Sequence, residues 1–157
     1  MRFAVRSAHP YPFNLCYCTA CRKTAGGGGY AINLSGEFAS LRVEGQAHVT
    51  VYEPRHVDEH DGKVSPQQRA FCRACGSALW VYDPRWPELV HPHASAIDSE
   101  LPQPPERTHL MLDFKAGWVP VDLIAAPGDR QFGRYPDESI AAWHARLGLG
   151  EGPGEGG

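Results

Sequence analysis

Long apolar runs and excess basic charge are both missing from this 157-residue chain. No apolar stretch approaches the roughly 18–20 residues that cross a bilayer, so no membrane-spanning helix is expected. Lys and Arg number 15 against 18 Asp and Glu, a net charge of −3. No cluster of them would neutralise a row of phosphates, so nucleic acid is not an expected partner. The opening MRFAVRSAHPYPF lacks the apolar segment and small-residue cleavage site of an export signal, and the cytoplasm is the expected compartment. Internal repeats are absent. The five cysteines are odd in number and too tightly clustered for a disulfide framework.

What the chain does contain is glycine (17) and proline (14), with 42% apolar residues, a composition that favours short strands and turns over a helical bundle. Candidate strands fall at Phe3–Arg6, Tyr30–Leu34, Leu41–Glu44, His48–Tyr52, Arg69–Cys72, Ala78–Tyr82, Leu89–Ala94 and His109–Phe114. Their spacing predicts a mainly β, antiparallel domain. Pro92 would confine its strand to a sheet edge. Polar Pro54–Pro66 reads as an exposed loop and Gln103–Glu106 as a Pro-rich connector. One helix is expected, over 136–147, with Ile140, Trp143 and Leu147 on its packing face and Gly148 beyond its end. The Gly/Glu/Pro segment 148–157 is expected to be disordered. The chain thus divides into a domain over 1–135, the helix packed on it, and the tail.

The cysteines fall into two groups, Cys16-Tyr-Cys18-Thr-Ala-Cys21 and Cys72-Arg-Ala-Cys75-Gly76. Residues two apart on an extended strand share a face, so Cys16 and Cys18 can meet one ion, and the C-x-x-C step brings Cys21 from another side. Three thiolates on Zn²⁺ leave a fourth position for a substrate or water. Cys72 and Cys75 form a knuckle in which Gly76 permits the tight turn. Two ligands need partners, and a single four-cysteine ribbon drawing two thiols from the first group is an alternative. Buried apolar cysteines or a redox pair are the plainer readings of the trio.

His91 and His93, two apart on a strand, could share a face, although a surface or core place is the plainer reading. His109 reads as structural. Trp80, Trp86, Trp118 and Trp143 read as core or pocket wall. Arg22 and Lys23 lie beside the trio and could meet a substrate carboxylate; ordinary solvated charges are the plainer alternative.

The stretches Cys16–Lys23 (C-x-C-x-x-C-R-K), Arg69–Leu79 (R-x-F-C-x-x-C-G-S-x-L) and Thr108–Trp118 (T-H-L, then Gly117-Trp118) together resemble the glutathione-dependent formaldehyde-activating enzyme family, which includes the centromere protein V domain. Asp98 falls where that family has an acidic turn. The resemblance spans about residues 1–135. It implies a β-tent fold and two zinc sites, with Cys16, Cys18 and Cys21 as the catalytic-type ligands and Cys72 and Cys75 as half of a structural four-cysteine site.

The implied chemistry is carbon–sulfur lyase chemistry in which glutathione, or a similar small thiol, adds to formaldehyde. Zinc already bound by three anionic sulfurs is a poor Lewis acid, so activating an incoming thiol is a better use of it than generating hydroxide. No residue stands out as a general acid. A non-catalytic zinc module that binds a partner is the competing class.

Family members carry a C-x-C-G segment before a strand resembling Val-Arg-Phe, whereas here Met1-Arg2-Phe3 stands where that strand begins. The expectation is a start assigned several residues late, with two structural ligands ahead of it; if the chain does start at Met1, His91 and His93 are candidate substitutes. Mass spectrometry of the native N-terminus should find residues preceding Met1; a native chain beginning at Met1 contradicts this.

Overall fold

Residues 1–25, 27–55, 58 and 63–149 are described by the computed structural model. Among them, short strands alternate with turns that Gly and Pro punctuate. The elements are β1 (Arg2–Ala4), β2 (Asn14–Cys16), α1 (Thr19–Thr24), β3 (Ala31–Ile32), β4 (Gly36–Glu37), β5 (Arg42–Glu44), β6 (Val49–Tyr52), β7 (Gln68–Cys72), β8 (Ala78–Tyr82), β9 (Leu89–Pro92), β10 (Thr108–Leu110), α2 (Val121–Ile124), β11 (Arg130–Gln131) and α3 (Ile140–Arg146). The chain is mainly β, and none of these helices is long and apolar enough to cross a membrane.

Two sheets organise the molecule. A five-stranded sheet runs β4-β9-β8-β7-β6, antiparallel throughout. Ala70, Cys72, Leu79, Trp80 and Val90 form its apolar face, and the β1–β5 pair lays Phe3, Val5 and Val43 against it. Phe3 meets Trp80 edge-on at 5.1 Å between ring centroids, the geometry aromatic quadrupoles favour. The second sheet runs β11-β10-β2-β3 and buries residues on both faces. Cys16, Ala31 and Leu110 pack on one face with Cys21 and Met111. Leu15 and Tyr17 pack on the other with Val119 and Val121.

The expected antiparallel arrangement fails in the second sheet, where β10 pairs parallel with both β2 and β11. Hairpin connection enforces antiparallel pairing between neighbours in sequence, but β2 and β10 meet from distant parts of the chain, where either direction is open. The strand expected over His109–Phe114 stops at Leu110 because Met111 takes a left-handed conformation (φ 61). A 3-10 turn over Leu112–Phe114 follows. Pro92 is not at an edge, since β9 lies between β4 and β8. The Pro92 carbonyl accepts from Leu34 N–H at 2.8 Å, while the next N–H, on His93, serves Leu79. The N–H that proline lacks therefore points away from β8, and that ladder is intact.

The late helix begins at Ile140 rather than Pro136. Ser139 caps it, its Oγ accepting from Ala142 N–H at 3.1 Å. Asp137 and Glu138 instead hold Arg130 and Arg146, the latter also bound to Glu106 at 2.6 Å. Trp143 is fully buried and stacks on Phe13 at 3.8 Å between centroids, worth about 1 kcal/mol beyond the area it buries. Of the four tryptophans only Trp80 and Trp143 are core. Trp86 and Trp118 are 48% and 67% exposed, Trp86 lying under the Arg85 guanidinium. Arg55 and Val64 pair at the base of the expected 54–66 loop. Its residues 56–57 and 59–62, and 150–157 of the expected tail, lie outside the described residues.

Asp129 ties the end of this second sheet together. Its carboxylate, 5% exposed, accepts from Arg107 N–H (2.8 Å), Arg107 Nε (2.9 Å), Ala126 N–H (2.9 Å) and His109 Nε2 (3.2 Å). Burial pulls its pKa upward, but the backbone N–H groups of Ala126 and Arg107, then the side chains of His109 and Arg107, hold it below the usual carboxylate range. A depressed carboxylate stabilises the fold above its unfolded pKa of about 3.9 and loses that contribution as pH falls through its folded value. Asp129→Ala should cost about 3 kcal/mol at pH 7 in urea unfolding, and the deficit should shrink as pH falls below about 4. A deficit constant from pH 7 to about 3 would contradict this.

Candidate metal centre

Cys16, Cys18 and Cys21 come from one strand end and the helix turn that follows it. Cys16 ends β2, Cys18 occupies the N-cap of α1, and Cys21 lies in its first turn. Cys18 Sγ accepts from Cys21 N–H at 3.3 Å, so a thiol takes the capping place that Ser or Asp usually fills. The three sulfurs lie within 4.8 Å of one another. Cys16 and Cys21 are buried and Cys18 half-buried. Zn–S bonds of about 2.3 Å at tetrahedral angles would place sulfurs about 3.8 Å apart, so the trio fits a zinc ion with closure of about 1 Å or less.

The surroundings of Cys21 are polar and buried. Arg69, 3% exposed, donates through Nη2 to Cys21 Sγ at 3.6 Å and through Nη1 to Thr24 at 3.3 Å. Asn33 Nδ2 lies 3.8 Å from the same sulfur. Hydrogen bonds from Cys16 and Cys18, then the Arg69 charge, hold the Cys21 thiol well below its ordinary range. Cys16 is pushed up by its bonds to Cys18 and Cys21, with burial adding to them. Cys18 is pushed up to about 12: its bond with Cys16 favours the thiolate, but its bond with Cys21 and its burial outweigh that. Of the three thiols, the one pushed toward its thiolate is Cys21, which faces the Arg69 guanidinium. His93, 2% exposed and bridged to Asn33, is pushed down to about 4 by burial and is neutral. Asn33 Oδ1, Arg69 Nε and His93 Nδ1 are buried without a protein partner, a pattern that marks places for water or a ligand.

Cys72 and Cys75 lie apart from the trio. They flank the β7–β8 turn, closed by Gly76 N–H to Cys72 O (2.7 Å) and Cys72 N–H to Ser77 O (2.9 Å). Gly76 sits at φ +74 with free space about it, a backbone conformation that favours glycine. Cys75 is exposed, 3.1 Å from Ser77 Oγ, and Ser77 followed by Cys72 lowers its pKa. Among the described residues the trio is the only group of three potential ligands within reach of one ion. The four-cysteine ribbon drawn from both groups is therefore not formed, and His91 and His93 join neither group. His91 Nδ1 is engaged with Leu34 O at 3.0 Å.

A cleft of about 1250 Å³ runs beside α1. Arg22, Lys23, Cys72, Cys75 and Asp98 line it, but the sulfurs of the trio do not. The sequence places Arg69 only in the R-x-F-C motif, and gives no sign of its contact with Cys21, of Asn33, or of the Tyr17–His109–Asp129 hydrogen-bond chain; a charged residue inside the apolar strand QRAFC is the added signal.

The model of the glutathione-dependent formaldehyde-activating enzyme family matches residues 1–112. A curated Halomonas elongata protein, provisionally named a glutathione-dependent formaldehyde-activating enzyme, is 63% identical over 152 residues, covering 97% of this chain and 93% of its own. A solved Rhodobacter sphaeroides protein matches 77% of this chain and 80% of its own at 20% identity, with a TM-score of 0.41, too loose a likeness to carry an argument. The chain belongs to the glutathione-dependent formaldehyde-activating enzyme family.

Proposed function

We propose that Cys16, Cys18 and Cys21 hold a zinc ion and that the protein joins a small thiol, glutathione or one like it, to formaldehyde as a carbon–sulfur lyase. The observation that carries this reading is the convergence of three sulfurs within 4.8 Å. A bound zinc ion with a free fourth position would lower the pKa of an incoming thiol and keep it nucleophilic. The chain's residues do the rest. Arg69 offsets the negative charge that three thiolates leave on a divalent ion, and Asn33 Nδ2 orients Cys21. Arg22, half-buried, and Lys23, exposed, line the cleft, hold no carboxylate among the described residues, and would receive the carboxylates of the thiol. In the forward direction the thiol proton passes to the aldehyde oxygen as the C–S bond forms, giving S-hydroxymethylglutathione from glutathione. Cys72 and Cys75 would supply two sulfurs of a second, structural zinc site.

Purified protein should carry zinc at the trio. Cys21→Ser should lose that metal and lower the rate of S-hydroxymethylglutathione formation, measured by exchange NMR above the spontaneous reaction, at least about 100-fold. A Cys21→Ser protein with full rate would overturn the reading. The double variant Arg22→Gln/Lys23→Gln should raise KM for glutathione about tenfold with little change in kcat. An unchanged KM would remove these two residues from the substrate site.

A further inference from the structure

Strand alternation gives the residue between two of the sulfurs a place on the opposite face. Cys16 packs with Leu110 and Met111, while Leu15 and Tyr17 pack with Val119 and Val121. Tyr17 is fully buried, and its hydroxyl meets His109 Nδ1 at 2.9 Å. His109, equally buried, reaches Asp129 Oδ2 through Nε2 at 3.2 Å. The Asp129 carboxylate only accepts, so His109 donates to it from Nε2, and a neutral imidazole then accepts at Nδ1 from the Tyr17 hydroxyl. Asp129 is fixed in turn by Arg107 and by Ala126 N–H. The chain is closed at every member.

We propose that Tyr17, His109 and Asp129 are positioning residues for the metal centre, setting the rotation of the Cys16–Cys18 segment so that both sulfurs face one ion. Apart from the apolar packing of Leu15, Cys16 and Tyr17, the segment has few polar restraints on its twist. β2 has only three residues, β3 only two, and past Cys16 the ladder to β10 continues through a single bond, Tyr17 N–H to Leu110 O at 3.0 Å. So short a strand, paired with β10 on one side and β3 on the other, has few backbone bonds to fix its rotation. Rolling it carries Cys16 out of register with Cys18 and Cys21, which α1 holds together through its N-cap. The buried hydroxyl on the far face resists that roll, because turning would break its bond to His109 and leave both groups unsatisfied. Hydrogen-bond partners outside a metal's ligands commonly tune its affinity by about 10–100-fold; here the restraint is transmitted through the backbone between two ligands. This inference rests on the reading of the trio as a zinc site.

The test separates the two. Wild-type protein is first titrated with zinc against a chromophoric chelator; failure to bind at the trio removes the underlying reading. Tyr17→Phe, which deletes only the hydroxyl, should then raise the zinc Kd about tenfold or more. Its metal-free form should keep the near-ultraviolet circular dichroism of a folded protein, and its cobalt derivative should show altered thiolate-to-metal bands. A purely structural role predicts a lower unfolding midpoint with wild-type zinc Kd and cobalt spectrum, and that result overturns the proposal. If Tyr17→Phe does not fold, Asp129→Asn, which preserves shape while removing the charge that sets the His109 tautomer, is judged by the same two readouts.

Discussion

Negative sulfur inside a low-dielectric sheet face needs a cation, and much of the arrangement around the trio follows from that requirement. Three closely spaced thiolates cannot stay ionised in a buried place without compensation. The balance of hydrogen bonds and burial pushes Cys16 and Cys18 toward the thiol, while Cys21, facing Arg69, is pushed toward the thiolate. Burial works against the charge of Arg69 as well, yet its proximity to Cys21 more than offsets that and keeps the guanidinium protonated. A buried arginine without its counter-charge would be costly. The pair makes sense only together. A divalent ion at the trio would displace the thiol protons, leave a net charge near −1, and give Arg69 the same partner.

The division of the second sheet into two faces lets one short strand serve two purposes. One face presents Cys16 with the apolar contacts of Leu110 and Met111; the other anchors Leu15 and Tyr17. The left-handed turn at Met111 ends β10 as soon as it has paired with β2, and brings the Met111 side chain to the sulfur face. The parallel β2–β10 pairing joins residues 14–16 to residues 108–110. The far half of the chain thereby supports a site whose ligands all come from the near half.

Much of this was legible in the residues, for identifiable reasons. The trio is a local motif: its spacing puts three sulfurs on a strand end and the helix turn after it. The β7–β8 hairpin is equally local, bounded by Cys72 and Gly76, and its later strand falls on the expected Ala78–Tyr82. What escaped depends on contacts between distant segments. No periodicity in Thr108–Leu110 shows that it pairs parallel with β2, and His109 reads as an unremarkable strand residue until Tyr17 and Asp129 stand on either side. α1 is too short, at six residues, for a periodic signal. The acidic residues before α3 resembled a helix start, but Arg130 and Arg146 claimed them and left capping to Ser139. Cys72 and Cys75 show the converse: a strong local motif is not by itself a complete ligand set.

The central claim is that three protein sulfurs bind one zinc ion and leave a place that a thiol can take. Zinc K-edge X-ray absorption on a Cys72→Ser/Cys75→Ser double variant isolates the trio and tests this most directly. The account predicts three sulfur scatterers at about 2.3 Å with one lighter neighbour, and four sulfurs once a small thiol is added. A shell already closed by four protein ligands, or a sulfur count that does not change with the thiol, would contradict it.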